Sequence, residues 1–250
     1  MQKRSQKVTN QNKRTLPSLA QLQDSIIACT KCPRLATYRQ QVAVDKVRRF
    51  QEAVYWGKPV PSFGNPQARL LVIGLAPAAH GGNRTGRAFT GDQSGAWLYE
   101  ALYTYGFANQ PTSTHRQDGL TLYDCYITQV LHCAPPANKP TLLEIATCRS
   151  YLLAELQHLP NLRVFVALGK IAFDACLQAW QQLGRALPSP RPRFGHGALY
   201  QLSNHLTLLA SYHPSQQNTF TGRLTRPMFH HIFAMAQEIL RTSATPPAPS

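Results

Sequence analysis

Leu70-Leu71-Val72-Ile73-Gly74-Leu75-Ala76-Pro77-Ala78-Ala79-His80-Gly81-Gly82-Asn83-Arg84-Thr85-Gly86-Arg87-Ala88-Phe89-Thr90-Gly91-Asp92 decides the fold class. Its first four residues are an unbroken apolar run, the pattern of a strand covered on both faces. Gly74 and Pro77 end that run, and the glycines beyond let main chain approach a ligand closely. Arg84 and Arg87 carry the planar fork that grips phosphate or carboxylate, and Phe89 offers a flat apolar face. The segment from Gln93 to Tyr103 reads as a helix, with Leu98, Leu102 and Tyr105 at helical spacing and Asp92 or Ser94 as its cap. Strand, glycine-rich loop and helix in that order put the loop where open α/β sheets hold ligands, at a strand's carboxyl end.

The same alternation recurs outward. Tyr123 to Thr128 reads as a second buried strand, followed by a proline-stiffened loop from Gln129 to Pro140. A helix is expected from Thr141 to Leu159, a third strand over Leu162 to Leu168, and a helix opened by Gly169 and running to Leu183. Gly184 to Gly197 reads as a surface loop, Leu199 to Leu202 and His205 to Ser211 as paired strands, and Thr225 to Leu240 as the last helix. Upstream, Leu19, Leu22, Ile26 and Ile27 define one face of a helix that Ser18 caps and that stops near Cys29-Thr30-Lys31-Cys32-Pro33. Between Arg34 and Ala68 the chain is basic and weakly periodic, with a helix expected at Asp45 to Tyr55. These elements predict a three-layer α/β/α sandwich with a mainly parallel sheet over residues 16–241. A basic arm at 1–15 and a Pro/Ala/Ser/Thr tail at 242–250 are expected to be disordered. Three loops with functional composition each follow a strand, so they are expected to cluster at one sheet edge.

With 26 Lys+Arg against 11 Asp+Glu, the formal net charge of +15 favours an anionic partner, most simply nucleic acid. The start of the chain is polar and basic with no apolar stretch after it, and the longest apolar runs are too short to cross a bilayer. The expectation is a soluble cytoplasmic protein with no membrane contact. Its six cysteines are then not a disulfide framework. Cys29 and Cys32 have two residues between them, and Cys133 and Cys148 have fourteen, so four thiolates are available to one metal centre. Zinc and an iron–sulfur cluster both accept such a set. Cys125 and Cys176 read instead as small apolar residues within a strand and a helix.

Three segments together resemble the uracil-DNA glycosylase superfamily, and within it the bacterial and archaeal family five, or type B. They are Gly74-Leu75-Ala76-Pro77 through Asp92, Cys133-Ala134-Pro135-Pro136-Ala137-Asn138-Lys139-Pro140, and His213-Pro214-Ser215 with Asn218 and Thr221-Gly222-Arg223-Leu224. The resemblance spans about Ile26 to Leu240. It implies a [4Fe–4S] cluster on Cys29, Cys32, Cys133 and Cys148. It also implies a monomer that binds double-stranded DNA at the nucleoid and removes uracil, with hypoxanthine and xanthine as further targets.

The roles it implies are specific. Phe89 stacks on the everted base, and His213 stabilises charge on the leaving base. Arg84, Arg87 and Arg223 contact phosphates, while Phe220 or Leu224 fills the vacated stack. Many members place an acidic or amide side chain in the first loop to hold the attacking water. Here Leu75 and Ala76 stand there, as is typical of family five, which shifts that role to Asn138 and Asn83 and leaves Ala76 lining the base site. Gln129 stands where related families often use asparagine to read the base edge, and it has both a donor and an acceptor. The departures at Ala76 and Gln129 keep a second expectation open, a non-catalytic iron–sulfur nucleic-acid-binding protein of the same fold.

Overall fold

The computed structural model describes residues 17–242. The expected arm at 1–15 and the expected tail beyond Thr242 lie outside the described residues. The elements are helix α1 Leu19–Ile27, α2 Pro33–Asp45, strand β1 Phe63–Gly64, β2 Leu70–Gly74, α3 Gly82–Thr85, α4 Gln93–Thr104 and β3 Cys125–Gln129. They continue with α5 Leu142–His158, β4 Val164–Leu168, α6 Lys170–Gln182, β5 Leu199–Ser203, β6 Leu206–Ser211, α7 Gln216–Phe220 and α8 Arg226–Thr242. Short 3-10 turns occupy Arg48–Phe50 and Pro136–Asn138.

The sheet has six strands in the order β1-β3-β2-β4-β6-β5. The inner strands β3, β2, β4 and β6 are parallel, and the two edge strands β1 and β5 run antiparallel to them. Alternation sends Leu70, Val72, Ile127, Val166 and Leu209 to one face, against Leu98 and Leu102 of α4 and Phe229 and Phe233 of α8. Leu71, Ile73, Tyr126, Phe165 and Leu208 point to the other, against Leu152 of α5, Phe173 and Leu177 of α6 and Leu35 of α2. This is the expected three-layer sandwich. Cys125 and Cys176 are fully enclosed in it. Among the described residues no helix is long and apolar enough to cross a membrane.

The chain departs from expectation between Cys32 and Tyr55. The expected helix at Asp45 to Tyr55 is absent, and α2 precedes it. Pro33 does not merely stop α1; it is the first residue of α2, where its missing N–H breaks no hydrogen bond. Lys46, at φ 51°, ends the helix.

Local capping sets the helix starts. Ser18 and Gln21 form a capping box on α1, and Asp92 Oδ1 accepts from the Gly95 amide at 2.9 Å to cap α4. On α5 the box is Thr141 and Glu144, whose carboxylate Arg34 also holds at 2.7 Å. Thr141→Ala is therefore expected to lower stability by about 1 kcal/mol, seen as a lower Tm by circular dichroism. A Tm equal to the parent's would contradict the cap's role.

Candidate active site

Parallel strands share a direction, so β2, β3, β4 and β6 deliver their following loops to one edge of the sheet. At that edge Phe89 is held under unusual constraint. Its φ is 52°, a region that side chains other than glycine rarely occupy. Its ring lies on the bare backbone of Gly74, where a Cβ would come 2.4 Å from the ring's Cζ. Its carbonyl oxygen lies over Gly95, where a Cβ would be 1.7 Å away. The Tyr99 hydroxyl donates to the Ala88 carbonyl at 2.8 Å and ties the preceding residue to α4.

Phe89 faces His213. The two rings stack with centroids 6.1 Å apart and an interplanar angle of 28°. The His213 carbonyl accepts from Asn218 Nδ2 and from the Ser215 amide, each at 2.8 Å, which fixes the turn after β6. No side chain or main-chain group among the described residues hydrogen-bonds the His213 ring. Burial lowers its pKa to about 4, so the imidazole is neutral near pH 7. His213 opens on a cleft that Lys170, Asn218 and Arg223 also line. Tyr212 in the same cleft is covered by the Arg223 guanidinium at 4.6 Å and stacks on His196 at 5.1 Å. Sequence reasoning assigned no role to Lys170, Tyr212 or His196; they come together only through the fold.

Gln129 closes β3 and pairs in register with Gly74. Residues so paired in parallel strands point to the same face, so Gln129 lies on the Phe89 side of the sheet. It is buried, and its Oε1 has no hydrogen-bond partner. Ala76 is half-buried just beyond β2. Asn138 is exposed on the 136–138 turn at φ 56°.

Other candidates serve the loop itself. Arg87, expected on a phosphate, is 4 % exposed and ion-paired to Asp118 at 2.6 Å, with Ser113 and Thr90 also accepting from it. Burial pushes the Asp118 carboxyl up, yet hydrogen bonds from Arg87 and the Thr114 and Leu120 amides outweigh it and hold it well below the usual range. Arg84 donates to the His80 carbonyl at 2.8 Å and stacks over Phe50 at 4.0 Å, bracing the loop from within. Asn83, expected near the water, is buried with Nδ2 donating to the carbonyls of Arg39 and Ala79 at 3.1 and 3.3 Å. Leu224, a candidate wedge, is 1 % exposed and packs in the core, whereas Phe220 at the end of α7 is 74 % exposed.

Cys29, Cys32, Cys133 and Cys148 line one cavity with His132 and Tyr151. It lies on the sheet face opposite Phe89, against the layer formed by α2, α5 and α6. Burial raises the Cys133 and Cys148 thiols to about 11 and about 12, and the Arg39 guanidinium beside Cys133 opposes the rise. Four thiols around one space suit an all-sulfur donor set. Among the described residues no three His, Cys, Asp or Glu side chains converge to grip a single ion.

The family model described as the uracil DNA glycosylase superfamily matches residues 61–237, which include β2, Phe89, β6 and His213. The chain belongs to the uracil-DNA glycosylase superfamily. Its relatives there include the type-5 uracil-DNA glycosylase of Thermus thermophilus, 48% identical over 215 residues, 86% of this chain and 95% of the relative. That of Mycobacterium tuberculosis is 48% identical over 223 residues, covering 89% and 82%. That of Pyrobaculum aerophilum is 44% identical over 200 residues, covering 80% and 84%.

Two outcomes test this geometry within a uracil-DNA glycosylase fold. Gly74→Ala should force the Phe89 ring away and cost about 1–3 kcal/mol, read by thermal unfolding; an unchanged Tm would mean the ring moves freely. His213 should titrate near pH 4 by NMR of its ring protons, well below the ordinary histidine value of about 6.5. Its contribution to stability is then whole above pH 6.5 and is lost as pH falls toward 4, because the unfolded chain takes up the proton first. A ring titration near the ordinary value would contradict the desolvation of the ring.

Proposed function

We propose that the protein is a monofunctional DNA glycosylase of base excision repair. It everts uracil from double-stranded DNA and hydrolyses the N-glycosidic bond, leaving an abasic site. The observation that carries this is His213: a neutral imidazole with uncommitted ring nitrogens, facing Phe89 in a cleft rimmed by cations.

Cleavage leaves positive charge on the sugar and negative charge on the base. A donor aimed at the uracil O2 stabilises that charge best where water is excluded. His213 supplies it as a neutral N–H, and Phe89 gives the base a stacking face. Gln129 reads the base edge: its orphaned Oε1 accepts the uracil N3–H, and its amide donates to O4. Hypoxanthine and xanthine offer a similar N–H beside a carbonyl, which makes them further substrates. Lys170 and Arg223 hold phosphates at the rim, and Phe220 enters the stack the base has left. Asn83 is committed to the fold, so we assign the attacking water to Asn138, with Ala76 leaving room beside the base. We assign the protein a monomeric state and a place at the nucleoid, where its substrate lies.

Cys29, Cys32, Cys133 and Cys148 would hold a [4Fe–4S] cluster, which supplies a rigid crosslink between α1, α2, the loop after β3 and α5. Its position across the sheet from His213 supports a structural role.

Incubation with a uracil-containing duplex, followed by alkali, should give strand breaks at the uracil. His213→Ala should slow single-turnover excision about 10²–10³-fold with little change in DNA affinity. Equal losses in both would remove its catalytic role. Absence of breaks from the wild-type protein in excess would leave a non-catalytic DNA-binding protein instead.

A further inference from the structure

Helix α2 buries a guanidinium with no anionic partner. Arg39 is 4 % exposed, and among the described residues no carboxylate lies within ion-pair distance of it. One of its amino groups donates to the Gly57 carbonyl, and its Nε is buried with no acceptor. An isolated buried cation is costly, so native proteins pair it. The other buried arginine, Arg87, has Asp118. Arg39 instead lies one turn of α2 beyond Leu35 and Ala36, which line the cavity of the four cysteines, and its guanidinium is held at Gly57, two residues before Pro59 of the same lining. Four thiolates outweigh the positive charge of an iron–sulfur core, so the bound group is an anion. Lys31 also lines the cavity, but it is exposed and sits over the Tyr151 ring at 4.9 Å, where solvent weakens its field.

Arg39 is also tied to the loop that carries α3. Its carbonyl accepts from Asn83 Nδ2 at 3.1 Å, and Gly57, which its guanidinium holds, donates its N–H to the Asn83 carbonyl at 3.0 Å. The next link repeats one residue on, with the Trp56 amide donating to the Arg84 carbonyl at 2.9 Å. Asn83 and Arg84 belong to α3, inside the loop that ends at Phe89.

We propose that Arg39 is the buried counter-charge of the cluster and the positioning residue through which the cluster holds the base-pocket loop, an inference that rests on the cluster assigned above. Arg39 touches neither the base nor the reacting atoms. It acts through Gly57 and Asn83. Its cation favours whichever cluster state carries more negative charge, so it raises the reduction potential.

The test uses the full chain purified without oxygen, as wild type, Arg39→Met and Arg39→Lys. Iron and sulfide are counted per chain, the cluster's midpoint potential is measured by voltammetry, and amide hydrogen exchange is followed at Trp56 and Gly57. Arg39→Met should shift the potential to a more negative value and speed exchange at those two amides while β2 stays protected. Arg39→Lys should keep the potential near wild type. A wild-type potential in iron-loaded Arg39→Met overturns the counter-charge, since a merely packing arginine would not move it. If Arg39→Met loses iron or fails to fold, Arg39→Lys decides. A loaded lysine variant with wild-type potential supports the proposal, and one that also loses its iron overturns it. Wild-type protein holding zinc or no iron overturns the cluster and this proposal together, which separates that failure from the failure of Arg39 alone.

Discussion

The ring of Phe89 rests on main chain at Gly74 that has no side chain, and its own main chain rests on Gly95 in the same way. Two bare positions, one at the end of β2 and one in the first turn of α4, are what allow a residue at φ 52° between them. A backbone in that region costs about 1–3 kcal/mol and persists only where its surroundings over-determine it. Here the Asp92 cap, the Tyr99 hydroxyl and the internal bonds of Arg84 and Arg87 do so. The consequence is a rigid aromatic face presented to His213.

The excess of positive charge divides by location. Arg84, Arg87 and Arg39 are turned inward and used as struts, with carbonyls and Asp118 as their partners. Arg223 and Lys170, the latter ion-paired to Asp174 at 2.6 Å, line the cleft with His213. Net charge therefore speaks to the partner's sign, while the site's own cations number far fewer than the composition suggests. His213 works in the opposite sense: burial keeps its ring uncharged near pH 7, leaving a neutral N–H at the cleft.

Most of the layer structure was legible because buried parallel strands are short apolar runs and the helices between them are periodic. Leu70–Gly74, Val164–Leu168 and Leu206–Ser211 all lie in runs of that kind. Helix α2 was hidden because Pro33 serves equally as a stop and as a first residue, and its apolar face is weak. Strand β1 and helix α7 are too short, at two and five residues, to leave a periodic trace. Within the site, the motifs that carry the family resemblance marked Phe89 and His213 as candidates, but side-chain direction had no such marker. Nothing local to Arg87 says that Asp118, 31 residues on, will meet it. Phe220 and Leu224 are alike in composition and opposite in exposure, and only the packing of α7 separates them.

The central claim is that Phe89 and His213 close on one everted base, and a structure of the protein on DNA reads this directly. The probe is a duplex carrying a single 2′-fluoro-deoxyuridine, whose fluorine resists charge at the sugar and so slows cleavage. The account predicts the uracil out of the helix, against the Phe89 ring, with O2 in hydrogen-bond reach of the His213 imidazole and the edge met by Gln129. A uracil still stacked in the duplex, or seated in a pocket that His213 does not face, would contradict it.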